Sequence, residues 1–123
     1  MSATKNDIKK NSLLEVGKLS TEELKALEAE HTNIITIVLD VNKNEKSYLY
    51  LRKWKRQHIE QAYVKSAKEG LLVAGSYLLE NLFVAGDKRC LSIADADTDI
   101  ALGASFQVGK MVEFITGEVI KNF

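Results

Sequence analysis

The stretch "NIITIVLDVNKNEKSYLYLRK", residues 33–53, decides how the rest of the chain is arranged. It opens on a run dense in β-branched residues, in which Ile35, Ile37, Leu39 and Val41 fall on one face at period two. "NKNEK" then breaks the apolar pattern with a polar loop of hairpin length. "SYLYLRK" follows, with Leu49 and Leu51 on one face and Tyr48, Tyr50 and Arg52 on the other. The two runs predict a β-hairpin with a single buried face. An isolated hairpin is marginal in water, so that face needs a cover, and the helices that follow are the obvious one.

Residues 55–69 read as a helix, with Ile59, Ala62, Tyr63, Ser66 and Ala67 recurring at three- and four-residue spacing. Gly70 ends or bends it. Residues 71–85 carry a second helical pattern. Leu71, Ala74, Gly75, Leu78, Leu82 and Ala85 make one stripe, which Leu72, Leu79 and Phe83 widen. A helix this apolar is either central or faces a partner. "AGDKRCLS" reads as a loop. From Asp97 onward Ile100, Ala104, Val108, Met111, Ile115 and Val119 set a further helical pattern, either one long helix or two joined near Gly109. Gly103, Gly109 and Gly117 each cost about 1 kcal/mol in a helix interior, so each marks close packing or a break.

Upstream, "LSTEELKALEAEH" carries a helix signature. Ser20 caps it and Glu23 completes a capping box, while Leu24 and Leu27 form a narrow apolar stripe. Residues 1–18 read as a flexible lead-in, with Leu13, Leu14 and Val16 the first that can pack. The order is helix, hairpin, then three to four helices packed on the hairpin. This is a single α+β domain over residues 19–123.

Composition narrows the function. Seventeen basic residues balance seventeen acidic ones, which argues against a general nucleic-acid binder. The lone cysteine, Cys90, excludes an internal disulfide framework and suits a reducing compartment. The polar start suggests no signal peptide, and the most apolar stretch, "LLVAGSYLLENLFVAG", is too short to cross a bilayer. A cytoplasmic protein with no membrane partner is the expectation.

Catalytic and metal chemistry find little footing. His31 sits at a predicted helix end and His58 in the first turns of a polar helix face, and neither has a flanking motif. Cys90 lacks a Cys-x-x-Cys partner. "DADTD" at 95–99 resembles the start of a calcium loop, but Ile100 stands where that loop needs glycine and Phe106 where it needs a bidentate glutamate. Asp95 or Asp97 as a helix N-cap explains the run better. Single glycines in "AGSYLL" and "VAGDKR" do not make a phosphate loop. No catalytic residue, cofactor or metal is expected.

One cluster remains. "YLYLRKWKRQ" places Arg52, Lys53, Lys55 and Arg56 around Trp54, the only tryptophan. Three readings stay open: a strand turning into a helix with Trp54 over the joint, a protein-docking anchor among long basic stems, or a stacking surface for nucleic acid.

Taken in order, "TIVLDV–NKNEK–SYLYLRKWKRQHIEQAY", "AGSYLLENLFVAGDKR" and "IALGASFQVGKMVEFITGEVIKNF" resemble small tail assembly chaperones of phages and prophages. Leu51, Arg52 and Lys53 match the basic run that ends the second hairpin strand of that family, Gly86 and Asp87 its Gly-Asp loop, and Glu118 to Phe123 its ending. The resemblance covers residues 20 to 123. Two departures stand out: Trp54 replaces the usual proline, and Lys88 and Arg89 replace more often acidic loop residues.

The resemblance implies a non-enzymatic protein of the host cytoplasm that binds the long, largely helical tape measure protein. It keeps that protein soluble while the tail tube polymerises, and then leaves. Exposed apolar helical stripes of such a client are an aggregation hazard, and a small helical protein with surplus apolar surface can shield them helix-in-groove. On this reading the 71–85 and 100–119 helices share their stripes between the core and a groove. The candidate partner contacts are then Arg52, Lys53, Trp54, Lys55, Arg56, Leu78, Leu82 and Phe83. A homo-oligomer is a further possible partner. The rival readings are a structural or cargo protein retained in the virion, and a nucleic-acid accessory protein using Arg52 to Arg56.

Overall fold

The computed structural model describes residues 13–91 and 97–121, from residue 112 onward as backbone alone. The chain is α+β. Its elements, in order, are β1 (Leu14–Val16), α1 (Thr21–His31), β2 (Ile34–Asn42), β3 (Glu45–Arg52), α2 (Arg56–Glu69), α3 (Leu71–Leu82), β4 (Phe83–Gly86), a 3₁₀ turn (Lys88–Leu91) and α4 (Thr98–Lys121).

The hairpin forms as the alternation requires. β2 and β3 pair antiparallel, with Ile35 opposite Leu51 and Ile37 opposite Leu49. The connection is tighter than the polar pentapeptide suggests. β2 reaches Asn42 and β3 begins at Glu45, and the Asn42 side-chain oxygen accepts from the Asn44 N–H at 2.8 Å, an Asx turn that closes the reversal locally.

β3 is the central strand. Its second edge is shared by β1, which runs parallel along Glu45 to Ser47, and by β4, which runs antiparallel along Leu49 to Leu51. Residues 1–12 of the expected flexible lead-in lie outside the described residues. From Leu14 the chain is a strand instead, tied down by sheet hydrogen bonds and by the Tyr48 hydroxyl, which donates to Glu15 at 2.7 Å. The other face of β3 is therefore not all wet. Tyr50 is buried, and its hydroxyl accepts from the Leu19 N–H at 3.1 Å.

Three helices cover the inner face of the hairpin. Leu39, Leu49 and Leu51 from the sheet meet Ala62 from α2, Leu78, Leu79 and Leu82 from α3, and Ala104 and Val108 from α4. Each leucine that goes from water to this core contributes roughly 1.5–3 kcal/mol. Outside that layer, α1 buries no residue completely, yet its start forms as predicted. The Glu23 N–H donates to the Ser20 hydroxyl at 3.1 Å, and the Ser20 N–H to the Glu23 carboxylate at 2.9 Å.

The expected 71–85 helix stops early. It ends at Leu82, and Phe83 to Gly86 leave it to pair with β3. Before it, Gly70 closes α2 with φ +102, a conformation open to glycine and strained for other residues, while its N–H reaches the Lys65 and Ser66 carbonyls. The C-terminal pattern is one helix without a break at Gly109, 24 residues long. The side chains of Ile115, Val119 and the Glu118 to Phe123 ending lie outside the described residues.

The crossing of α3 and α4 is built on glycine. A Cβ at Gly75 would overlap the Ser105 carbonyl and come within 2.9 Å of the Gly109 nitrogen; one at Gly109 would strike the Leu71 carbonyl. The two backbones thus touch without intervening side chains. Leu71 beside Gly109 and Gly75 beside Ser105 also make the helices antiparallel, which brings the end of α3 to the start of α4.

Candidate functional site

The basic run does not form one surface. The side chain of Arg52 turns toward the end of α3 and donates to the Asn81 carbonyl at 2.9 Å, satisfying a carbonyl that the helix end leaves free. Trp54 is half-buried and packs on the core. Lys53, Lys55 and Arg56 are exposed, and Arg56 stands 3.5 Å from Glu60, one turn along α2. A pair this wet contributes little.

His58 explains the joint. The Lys55 N–H donates to His58 Nδ1 at 2.9 Å, so the imidazole caps the start of α2. Burial, then the Arg52 and Lys55 cations, hold its pKa below the ordinary 6.5. The stretch is thus a strand-to-helix joint with Trp54 packed on the core beside it. At the end of α1, His31 lies 3.8 Å from Glu30.

The "GDKRC" segment forms a polar knot. Ser47 lies on the core face of β3 and donates to Asp87 at 2.7 Å. Arg89 grips the same carboxylate through Nε and Nη2 at 3.1 and 2.8 Å, and reaches Glu45 at 2.5 Å. Burial by itself pushes the Asp87 carboxyl up, but the hydrogen bonds from Arg89 and Ser47 outweigh it and leave the pKa below 3.8. The same two carboxylates hold Arg89 firmly protonated.

Cys90 is buried beside Ser47, and burial pushes its thiol up, away from the reactive thiolate. Every buried side-chain polar atom described has a partner, so the hydrogen bonds of the knot are satisfied within the chain. Among the described residues no three His, Cys, Asp or Glu side chains gather as a metal site. Of the aspartates in "DADTD", Asp95 lies outside the described residues and Asp97 directly precedes α4.

The open feature is apolar. Leu102 and Phe106, one turn apart on α4, are 47% and 42% exposed. They belong to the face of α4 opposite the buried Ala104 and Val108. A groove of about 330 Å³ runs between α3 and α4, floored by Leu79 and Cys90 and walled by Leu72, Val73, Leu91 and Leu102. A second groove, about 370 Å³, lies between β2 and α4, where Val38, Ile100, Gly103 and Phe106 line it. The Leu102–Phe106 pair is therefore a ridge with a trough on either side. A helix packing on another helix needs that relief, since its own i±4 ridge fits a trough.

The structure redistributes the expected partner contacts. Leu78 and Leu82 are wholly buried in the chain's own core, and Phe83 packs against that core from β4. These three serve the fold, because the stripe that looked surplus along the sequence packs against α4 and the hairpin. Leu72, Val73, Leu91, Leu102 and Phe106, all lining the two grooves, are among the large apolar side chains left exposed. For Leu102 and Phe106 the signal in the sequence is a second i, i+4 apolar pair off the main stripe of α4.

Among the described residues no helix is long and apolar enough to cross a membrane. Comparison of the chain with protein-family models, with curated proteins and with solved structures finds no match.

Proposed function

We propose that this protein is a non-enzymatic tail assembly chaperone of the host cytoplasm, which binds the tape measure protein through its apolar ridge and keeps it soluble until the tail tube covers it. The observation that carries the reading is the ridge itself: large apolar side chains exposed between two troughs, outside the buried core. Scattered exposed leucines are ordinary, whereas several lining adjoining grooves suit a partner. The resemblance of the hairpin, the Gly-Asp loop and the C-terminal helix supports the family assignment.

Co-expression with the tape measure protein tests it. The chaperone reading expects more soluble client with this protein than without it, and none of this protein in purified particles. Equal amounts of insoluble client in both cultures overturn the reading. Its presence in particles at fixed stoichiometry would make it a structural component instead.

A further inference from the structure

The two grooves share an electrostatic character. Among the described residues, the only charged side chain lining the first is Glu80, and the only ones lining the second are Asp40 and Asp99. Asp40 has Lys46 at 3.9 Å, a wet pair that leaves it 81% exposed. Neither Glu80 nor Asp99 has an ion-pair partner among the described residues. The antiparallel crossing of α3 and α4 brings Glu80 to the start of α4, beside Thr98 and Ala101 and on the same end as Asp99. At the opposite end of the ridge Lys110 stands over the Phe106 ring, 4.7 Å from its centre. The apolar strip is thus acidic at one end and basic at the other.

Resting on the reading of this ridge as a docking surface, we infer that its occupant is an amphipathic helix of a partner protein whose apolar stripe is flanked by lysine or arginine at one end. The apolar stripe straddles Leu102 and Phe106. The flanking cations meet Glu80 and Asp99 at the start of α4, with Asp40 on the β2 rim of the second groove. Carboxylates at a groove rim steer an oppositely charged partner and reject a like-charged one, with a strong dependence on salt.

Gly103 gives the site a fold-neutral control. It lines the second groove, and a Cβ built there meets no atom of the described residues within 4 Å. A larger side chain at this point starts from that open space and projects into the trough.

Two synthetic amphipathic helical peptides with one leucine stripe, one flanked by lysines and one by glutamates, test the inference by fluorescence anisotropy at low and high salt. The wild-type protein is expected to bind the lysine peptide about tenfold more tightly at low salt, with the gap closing as salt rises. Glu80→Lys combined with Asp40→Lys removes the preference, and Gly103→Leu weakens both peptides while thermal unfolding stays cooperative. Asp99 is left intact because the first turn of a helix favours a carboxylate.

Equal affinity for the two peptides, binding of neither, or a preference unchanged by the charge reversal overturns the inference. The two readings fail separately. A protein that discriminates the peptides yet leaves the tape measure insoluble keeps this surface and loses the client. Client solubilised undiminished by the Gly103→Leu and charge-reversed proteins keeps the chaperone and loses this surface.

Discussion

Gly103 and Gly109 lie on one helix, less than two turns apart, in opposite surroundings. At Gly109 the backbone of α3 presses against α4 so closely that a methyl group has no room, and Gly75 meets the same crossing from the other side. At Gly103 there is open space above a groove. A single helix therefore seals the core along one part of its length and leaves a trough along another. Glycine in a helix interior costs about 1 kcal/mol against alanine. At Gly109 the close approach of two backbones offsets that cost; at Gly103 no contact among the described residues does.

The largest break in this contrast should come from the sealed crossing. Gly75→Ala or Gly109→Ala forces two backbones apart and is expected to destabilise the fold by about 3 kcal/mol or more. Urea denaturation would read this as a large fall in midpoint. A midpoint near wild type would mean that α3 and α4 do not cross on glycine.

The floor of the first groove depends on the knot below it, because Cys90 lies in the 3₁₀ turn that Asp87 holds. Asp87→Asn keeps the shape but removes the charge that Arg89 grips. The expected loss is about 2 kcal/mol at neutral pH. The sign with pH follows from the lowered pKa. The ionised carboxylate stabilises the fold above its ordinary value of 3.8, and that contribution fades as pH falls through the folded value. The gap between wild type and Asp87→Asn should close in acid. A gap independent of pH would show that the charge is not what the knot uses.

On the open side the sign reverses. Gly103→Ala is expected to stabilise the fold by about 1 kcal/mol, seen as a raised melting temperature. Destabilisation there would mean that the trough is filled by the chain itself, and the contrast with Gly109 would disappear.

The smallest effect lies at the hairpin–helix joint, away from both glycines. The imidazole of His58 is held neutral, its pKa lowered by burial and by Arg52 and Lys55. Its contribution is complete above pH 6.5 and is lost as pH falls through the lower folded value. His58→Gln should therefore flatten the stability profile between neutral and mildly acidic pH. An unchanged slope in thermal melts at several pH values would remove the capping role.

Much of the fold is legible along the chain because its signals are local. The period of two in Ile35 to Val41 and Leu49 to Leu51 specifies a strand pair with one buried face. Ser20 with Glu23 specifies the start of α1, and Gly70 the end of α2. Two elements escape such reading. β1 is three residues long, too short for any period, and exists because the edge of β3 is free to pair with it. β4 continues the helical spacing of α3 through Ala85, so only the nearby edge of β3 reveals that Phe83 turns into the sheet. The site is less legible still. Arg52 to Arg56 look like one cluster in sequence, yet Arg52 faces α3, Trp54 the core, and Lys53, Lys55 and Arg56 the solvent.

The sequence by itself determined the α+β class, the hairpin, the helices and the absence of a recognisable catalytic motif, because alternation, helical spacing and caps act between neighbours a few residues apart. Only the tertiary structure decided which apolar stripe is consumed. Burial depends on what lies opposite: Leu78 and Leu82 pack in one core with the hairpin and the inner face of α4, while Leu102 and Phe106 on its other face are left to the solvent.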